Sequence, residues 1–456
     1  MKTGSLPYTC KGLTLKEAVS MRVLLLCTLF VFGCTTAVAP PEASPFTGDP
    51  WPAIRAHRIA ELLPAAMRKA AVDAWMVICR ENNNDPMAPH VGCENAGGSA
   101  AFLFFLTETG LRSVAVSPAG EATALAEKQI MDEVVVIGRG AGLWGSVQAQ
   151  FQRVTPRRIA INTGGSPIAD GLSHTQYEAM RENLDPEWVS RMTSAELLIT
   201  AWLAVKTPEE VAILRQAAAL TARWEVEAYD AAVPGVTTDR DIADFLEAKM
   251  ASIGVGDGWA PEQNPAVNSG KDRGHSHPTD RVIRPGDFIQ IDFGIRVYDR
   301  WVTDIQRFAY VLAPGEVEAP PEALARWAAA RAGSRAAFAA MKPGATGAEV
   351  DRAQRLSMRE QGSISVMWGT GHPVGYWAHD SGPALSGGRE EAVPSGRQLE
   401  PLQPGMTFAF DGFHSWPLSD STTKTISVEE MVVITEAGAE WLTAPQEELI
   451  LIPSRP

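Results

Sequence analysis

The sequence predicts two domains in series, an α/β layer domain followed by an α+β domain whose halves repeat one another. Three observations lead there. Helical and strand-like runs alternate between residues 54 and 161, the texture changes near residue 196 to long helices followed by strand pairs, and two Pro-Gly signatures recur in that second region. The length of 456 residues accommodates both domains. Hydrophobic residues make up 45% and charged residues 21%, which excludes wholesale disorder and a multi-span membrane protein. With 40 basic and 54 acidic residues the net charge is −14, and no long basic run is present, so a nucleic-acid surface is excluded in favour of a small or peptidic partner.

Residues 1–34 read as an export segment. Arg22 precedes an apolar run from Val23 to Phe32, too short for the roughly 20 residues of a membrane-spanning helix but right for the core of a secretory signal. Its end, Val31-Phe32-Gly33-Cys34, resembles a bacterial lipobox, which implies lipid on Cys34 and a periplasmic or membrane-anchored protein whose only membrane contact is that lipid; simple secretion and an uncleaved or buried segment are the alternatives. Met21 directly before Arg22 offers an alternative start. A Pro-rich linker covers residues 35–52. Of five cysteines, at 10, 27, 34, 79 and 93, two lie beyond the export segment, and these either form one disulfide or remain two thiols.

The first domain is expected over residues 53–195. Ile54–Val72 has helical periodicity, and Ala74–Ile78, Ala101–Phe105, Glu133–Ile137 and Arg158–Ile161 read as strands. His57, His90 and His174 share no spacing and suggest no site there. The second domain, residues 196–445, opens with Pro208-Glu209-Glu210, where proline and acids suit the first turn of a helix running towards Asp230. Pro234-Gly235-Val236-Thr237 precedes a helix and recurs as Pro343-Gly344-Ala345-Thr346. Pro285-Gly286 leads into a strand reaching Asp292, seven residues after the proline, and Pro404-Gly405 into one reaching Asp411 at the same interval. Each half thus delivers a carboxylate to a matching place.

Five of the eight histidines, 275, 277, 372, 379 and 414, fall among acids in this region. Asp292 sits in the apolar run Ile291-Asp292-Phe293-Gly294 and Asp304 in Trp301-Val302-Thr303-Asp304, with a turn centred near residue 298 that sets 292 opposite 304 on one sheet face. Carboxylates so placed repel unless a cation lies between them. With His372, Asp411 and Glu429 they form a hard, oxygen-rich set suited to two divalent ions about 3.5 Å apart.

The order Asp, Asp, His, acid, Glu resembles the dinuclear site of the pita-bread metallopeptidases, the family of methionine aminopeptidase, aminopeptidase P and prolidase. Asp292-Phe293-Gly294, Asp304-Ile305-Gln306-Arg307, Gly371-His372-Pro373-Val374-Gly375 and Glu429-Glu430 are each similar to a ligand segment of that family, and residues before 196 resemble the creatinase-type N-terminal domain of its prolidase and aminopeptidase P branch. The resemblance implies metal ligands at Asp292, Asp304, His372, Asp411 and Glu429, catalytic work by His275, His379 and Glu429, and substrate contacts from His275, His379 and Arg397, the last pairing with a dipeptide's carboxylate. It implies two divalent ions, manganese first and cobalt, iron or zinc as substitutes. The expected substrate is a peptide with proline second, cleaved before the proline by a dipeptidase or an aminopeptidase, and the expected assembly is a homodimer or tetramer. Alternatives are a related hydrolase acting on a non-proline amide and a catalytically silent binding protein. This chain departs from the family pattern in three ways: the aspartates are twelve apart rather than eleven, Asp411 replaces the usual Glu, and Ser427 replaces an arginine two before the last Glu, weakening the support of that ligand.

Overall fold

Ala74 to Cys79 is apolar without alternation because both faces of its strand are covered. Trp75, Val77 and Cys79 enter one core cluster and Met76 and Ile78 another. The computed structural model describes residues 43–454 apart from 95, 96, 140, 275, 276 and 420, so the export segment, its Cys34 and His275 lie outside the described residues. The described residues belong to one compact unit.

The first sheet runs β4-β3-β2-β1-β5-β6, formed by β1 (Ala74–Arg80), β2 (Ser99–Thr107), β3 (Gly110–Pro118), β4 (Glu133–Ile137), β5 (Ile159–Ile161) and β6 (Met192–Ser194). The four strands read from sequence are present. The expected single helix over Ile54–Val72 is instead helical from Trp51 to Lys69 with a π turn at Arg58–Leu62. Pro64 has no N–H to give the carbonyl one turn back, and the wider turn absorbs that loss. Cys79 and Cys93 are joined by a disulfide.

The second sheet has β8 (Ala266–Ser269), β9 (Phe288–Phe293), β12 (Ile305–Val311), β13 (Gly371–Pro373), β14 (Thr407–Pro417) and β15 (Thr423–Thr435) in the order β13-β14-β15-β12-β9-β8, with β16 (Gly438–Trp441) on β15 and β17 (Ile450–Ile452) on β12. A small sheet of β7 (Gly256–Asp257), β10 (Ile295–Val297) and β11 (Trp301–Val302) extends the β9–β12 hairpin. Helices Pro208–Ala231, Asp239–Ile253 and Gly347–Glu360 each begin at a threonine, Thr207, Thr238 and Thr346, that accepts from the third helical N–H while the acid there accepts from the threonine N–H.

Glu210 does more than close such a cap. It is fully buried, and its carboxylate takes the Arg58 guanidinium at 2.6 Å, the Trp301 indole at 3.2 Å and the Tyr376 hydroxyl. Arg58 also donates to the carbonyls of Val205 and Trp202. The first-turn acids expected to complement the helix dipole are therefore unequal, Glu209 at the surface and Glu210 in an ionic knot that joins the π turn to the small sheet. Burial opposes ionisation of Glu210, yet Arg58 and the cap hold its pKa below the ordinary range.

Two expectations follow. Arg58→Met strands a buried carboxylate and should lower the unfolding free energy by about 3–5 kcal/mol, most of it recovered in Arg58→Met/Glu210→Gln; denaturant titration of both variants measures this. Reduction of the Cys79–Cys93 bond should cost about 2–4 kcal/mol through the freed loop, and an unchanged midpoint with reductant would count against a stabilising role.

Candidate metal centre

Strand register alone assembles an acidic row. Asp292 on β9 faces Gln306 on β12, Gln306 faces Glu429 on β15, and Glu429 faces Asp411 on β14. Directly opposite residues share a sheet face, so these four side chains lie side by side, all buried. His372 on β13 faces Ala409, two residues before Asp411, and so points to the same side. Asp304, His372 and Glu429 present ligand atoms that all lie within 4.8 Å of one another. The His372 Nε2 is 3.8 Å from Asp304 Oδ2 and 3.7 Å from Glu429 Oε1.

Asp292 and Asp304 are not directly opposite, as the sequence suggested. The turn at Tyr298 and Asp299, both with positive φ, is followed by a pairing of Val297 with Trp301, one residue later than expected, so Asp292 faces Gln306 and Asp304 lies two residues before it. Alternation still sets both acids on one face. The close approach depends on Gly294, where a Cβ would come within 2.1 Å of the Thr303 carbonyl oxygen. Thr303 is held from behind by the Thr221 hydroxyl at 2.8 Å.

Gln306 was not legible as a site residue, being neutral and outside the ligand pattern. Its Nε2 donates to Glu429 Oε2 at 2.7 Å, while its Oε1 accepts from Ser427 Oγ at 2.8 Å and Gln290 Nε2 at 2.6 Å. Ser427 therefore supports Glu429 through an amide rather than leaving it unsupported. On the opposite face Arg307 pairs with Glu430 at 3.0 Å, and Arg331 reaches the same carboxylate at 3.5 Å. Fully buried Glu225 lies behind these strands with its carboxyl pushed well above the usual range, by burial first and then by the site's acids.

The electrostatics call for cations. Burial, then Glu429 and Asp292, push the carboxyls of both Asp304 and Asp411 well above the ordinary range, with Asp411 and Glu225 adding to the effect on Asp304. One imidazole among crowded carboxylates fits a divalent metal, which would remove this repulsion.

His379 stands beside the centre, its ring 4.2 Å from that of His372. It is exposed to a cleft, and the segment carrying it is anchored by Asp380. The Asp380 carboxylate takes the buried Lys206 ammonium at 3.0 Å and the backbone N–H groups of Tyr376 and Ser381. Arg397 lines the same cleft, and its Nε and Nη2 donate to the carbonyls of Gly382 and Asp380 at 2.6 and 2.9 Å, bracing the His379 segment. His414 faces away from the acids and stacks on Trp416.

Comparison with known proteins agrees with this arrangement. Residues 212–436 match metallopeptidase family M24. The chain is 28% identical over 299 residues to the probable dipeptidase PepE of Mycobacterium tuberculosis, covering 65% of this chain and 73% of that protein. It is 26% identical over 295 residues to the Xaa-Pro dipeptidase of Pyrococcus furiosus, covering 64% and 77%. The crystal structure of the X-Pro aminopeptidase from Thermotoga maritima superposes with a TM-score of 0.62 at 21% identity over 85% of this chain and all of that one, which shows a shared fold. With a buried carboxylate row and one histidine on the matched strands, residues 212–436 form a metallopeptidase family M24 domain, the domain of the pita-bread metallopeptidases.

Proposed function

We propose that the protein hydrolyses the peptide bond preceding proline through a dinuclear metal centre held by Asp292, Asp304, His372, Asp411 and Glu429. The observation that carries this reading is the single row Asp292, Gln306, Glu429, Asp411 with Asp304 and His372 beside it, and the Xaa-Pro peptidases among its relatives favour proline as the leaving residue. We also read residues 53–195 and 196–445 as two domains. Within the second, two halves related as repeats are supported by matching backbone bonds, Gly235 to Ile283 and Gly344 to Leu402 before the helices, Gly286 to Val311 and Gly405 to Ile434 before the ligand strands.

Asp292, Asp304, His372, Asp411 and Glu429 would hold two divalent ions, manganese by preference, which would supply a water of lowered pKa and polarise the scissile carbonyl. The chain's own groups do the rest. The water oxygen joins the carbonyl carbon, the C–N bond breaks, and a water proton ends on the proline nitrogen. Glu429 and Asp411, adjacent across β14 and β15, accept that proton as a unit. The Gln306 amide holds Glu429 Oε2 and so sets the orientation of the whole carboxylate for this task. His379, beside the centre and open to the cleft, donates to the oxyanion or the leaving nitrogen; His275 is assigned the same work from the family resemblance. Export with a lipid on Cys34 is part of this reading, and the Cys79–Cys93 disulfide suits an oxidising compartment.

The central test is metal analysis with a Xaa-Pro peptide panel. Asp304→Ala should lose most bound metal and activity, and full manganese-dependent turnover in that variant would refute the ligand assignment. Gln306→Leu, which keeps every ligand, should reduce metal affinity or activity by about 10–100-fold.

Stability should depend on pH in opposite senses with and without metal. Asp304 and Asp411 keep protons in the folded metal-free protein that the unfolded chain releases, so metal-free stability falls as pH rises above the ordinary carboxylate range. Bound metal removes that penalty. Melting at pH 5 and pH 8, with chelator and with manganese, should show the larger metal-induced rise at pH 8.

A further inference from the structure

We infer that the substrates are peptides longer than two residues, and that Trp377 and Leu197 form an apolar subsite for the side chain that follows proline. The inference rests on the Xaa-Pro reading above and deepens it. A cleft of about 910 Å³ opens beside His379, with Trp377, Arg397 and Leu197 from the second region and Pro167 and Ile168 from the chain before it. That volume lies at the upper end of the roughly 300–1,000 Å³ that encloses a drug-sized ligand, and it exceeds what a dipeptide fills. The cleft adjoins the metal centre at His379, which lines it and whose ring lies 4.2 Å from that of His372.

Two large apolar side chains are left uncovered in this concavity, Trp377 at 37% and Leu197 at 48% exposure. Exposed apolar surface inside a cleft beside reactive groups marks a binding surface. Its occupant follows from the reaction. Only one residue precedes the scissile bond, so the surplus volume can hold only the chain after proline. The alternative for this wall, capture of a dipeptide carboxylate by Arg397, competes with bonds that the guanidinium already makes, since Nε and Nη2 are given to Gly382 and Asp380. A neutral amide continuing into the cleft asks nothing of that guanidinium. Trp377 is two residues from His379 on a segment pinned by the buried Lys206–Asp380 pair, so a side chain seated on the indole positions the scissile bond as well.

The test is steady-state kinetics of the manganese-loaded full chain on Ala-Pro, Ala-Pro-Gly and Ala-Pro-Phe, repeated with Trp377→Ala and Leu197→Ser. The expected kcat/KM for Ala-Pro-Phe exceeds that for the other two by about tenfold or more, the range of one apolar pocket, and each variant brings the ratio close to one. Equal or higher kcat/KM on the dipeptide, or a ratio that survives both substitutions, overturns the inference. A parallel panel with alanine in place of proline separates this from the reading beneath it. Cleavage of the alanine peptides alone removes the proline assignment, and the length and Trp377 dependence within that panel then decides the subsite. Where no peptide is cleaved, calorimetric binding of Ala-Pro-Phe against Ala-Pro reads the same ratio.

Discussion

Carboxylates crowded on one face of a sheet interior are the constraint to which the rest of the second region answers. Register leaves Asp292, Glu429 and Asp411 no freedom to separate, because each is fixed by backbone hydrogen bonds to its neighbours. A side-chain rotamer cannot relieve a repulsion set by the main chain. Relief must come from elsewhere, and the structure supplies it in layers: Gln306 donates an amide between two acids, Arg307 and Arg331 place positive charge behind the sheet, and the remaining repulsion is what a cation would satisfy. The site is costly without metal for the same reason that it suits metal.

The strands of Asp292 and Asp411 were readable because each is a largely apolar run interrupted by one acid, a pattern that a core strand does not tolerate without cause. The strands of the first sheet were readable for the opposite reason, since β1 has no interruption at all. β3 escaped because Leu111-Arg112-Ser113 opens it with polar residues, Arg112 reaching Glu133 at the sheet's edge. The hairpin was recognised but displaced by one residue, since spacing does not say where a positive-φ turn will sit. Gln306 carries no charge to draw attention, and its value lies in three partners on the two neighbouring strands β9 and β15. Arg58 and Glu210 look like ordinary surface residues of amphipathic helices. Only the fold reveals that they meet in the core.

That meeting links the two regions mechanically. Glu210 caps the Pro208–Ala231 helix, takes the π-turn guanidinium and holds Tyr376, while four residues beyond Tyr376 the Lys206–Asp380 pair pins the segment that bears His379. The wall of the cleft beside the metal centre is thus built on the same knot that fastens the π turn to the Pro208–Ala231 helix and the small sheet.

The order in which the knot's members leave the ribosome matters too. Arg58 is synthesised 152 residues before Glu210, and Glu210 a further 166 before Tyr376. Until its carboxylate partner emerges, the guanidinium must stay in water, and the π turn that carries it has nothing to dock against. The early sheet can form, but its junction face stays open until nearly the whole polypeptide is available. Completion is therefore deferred until Tyr376 has emerged, so that the junction closes by a contact between segments made far apart in time.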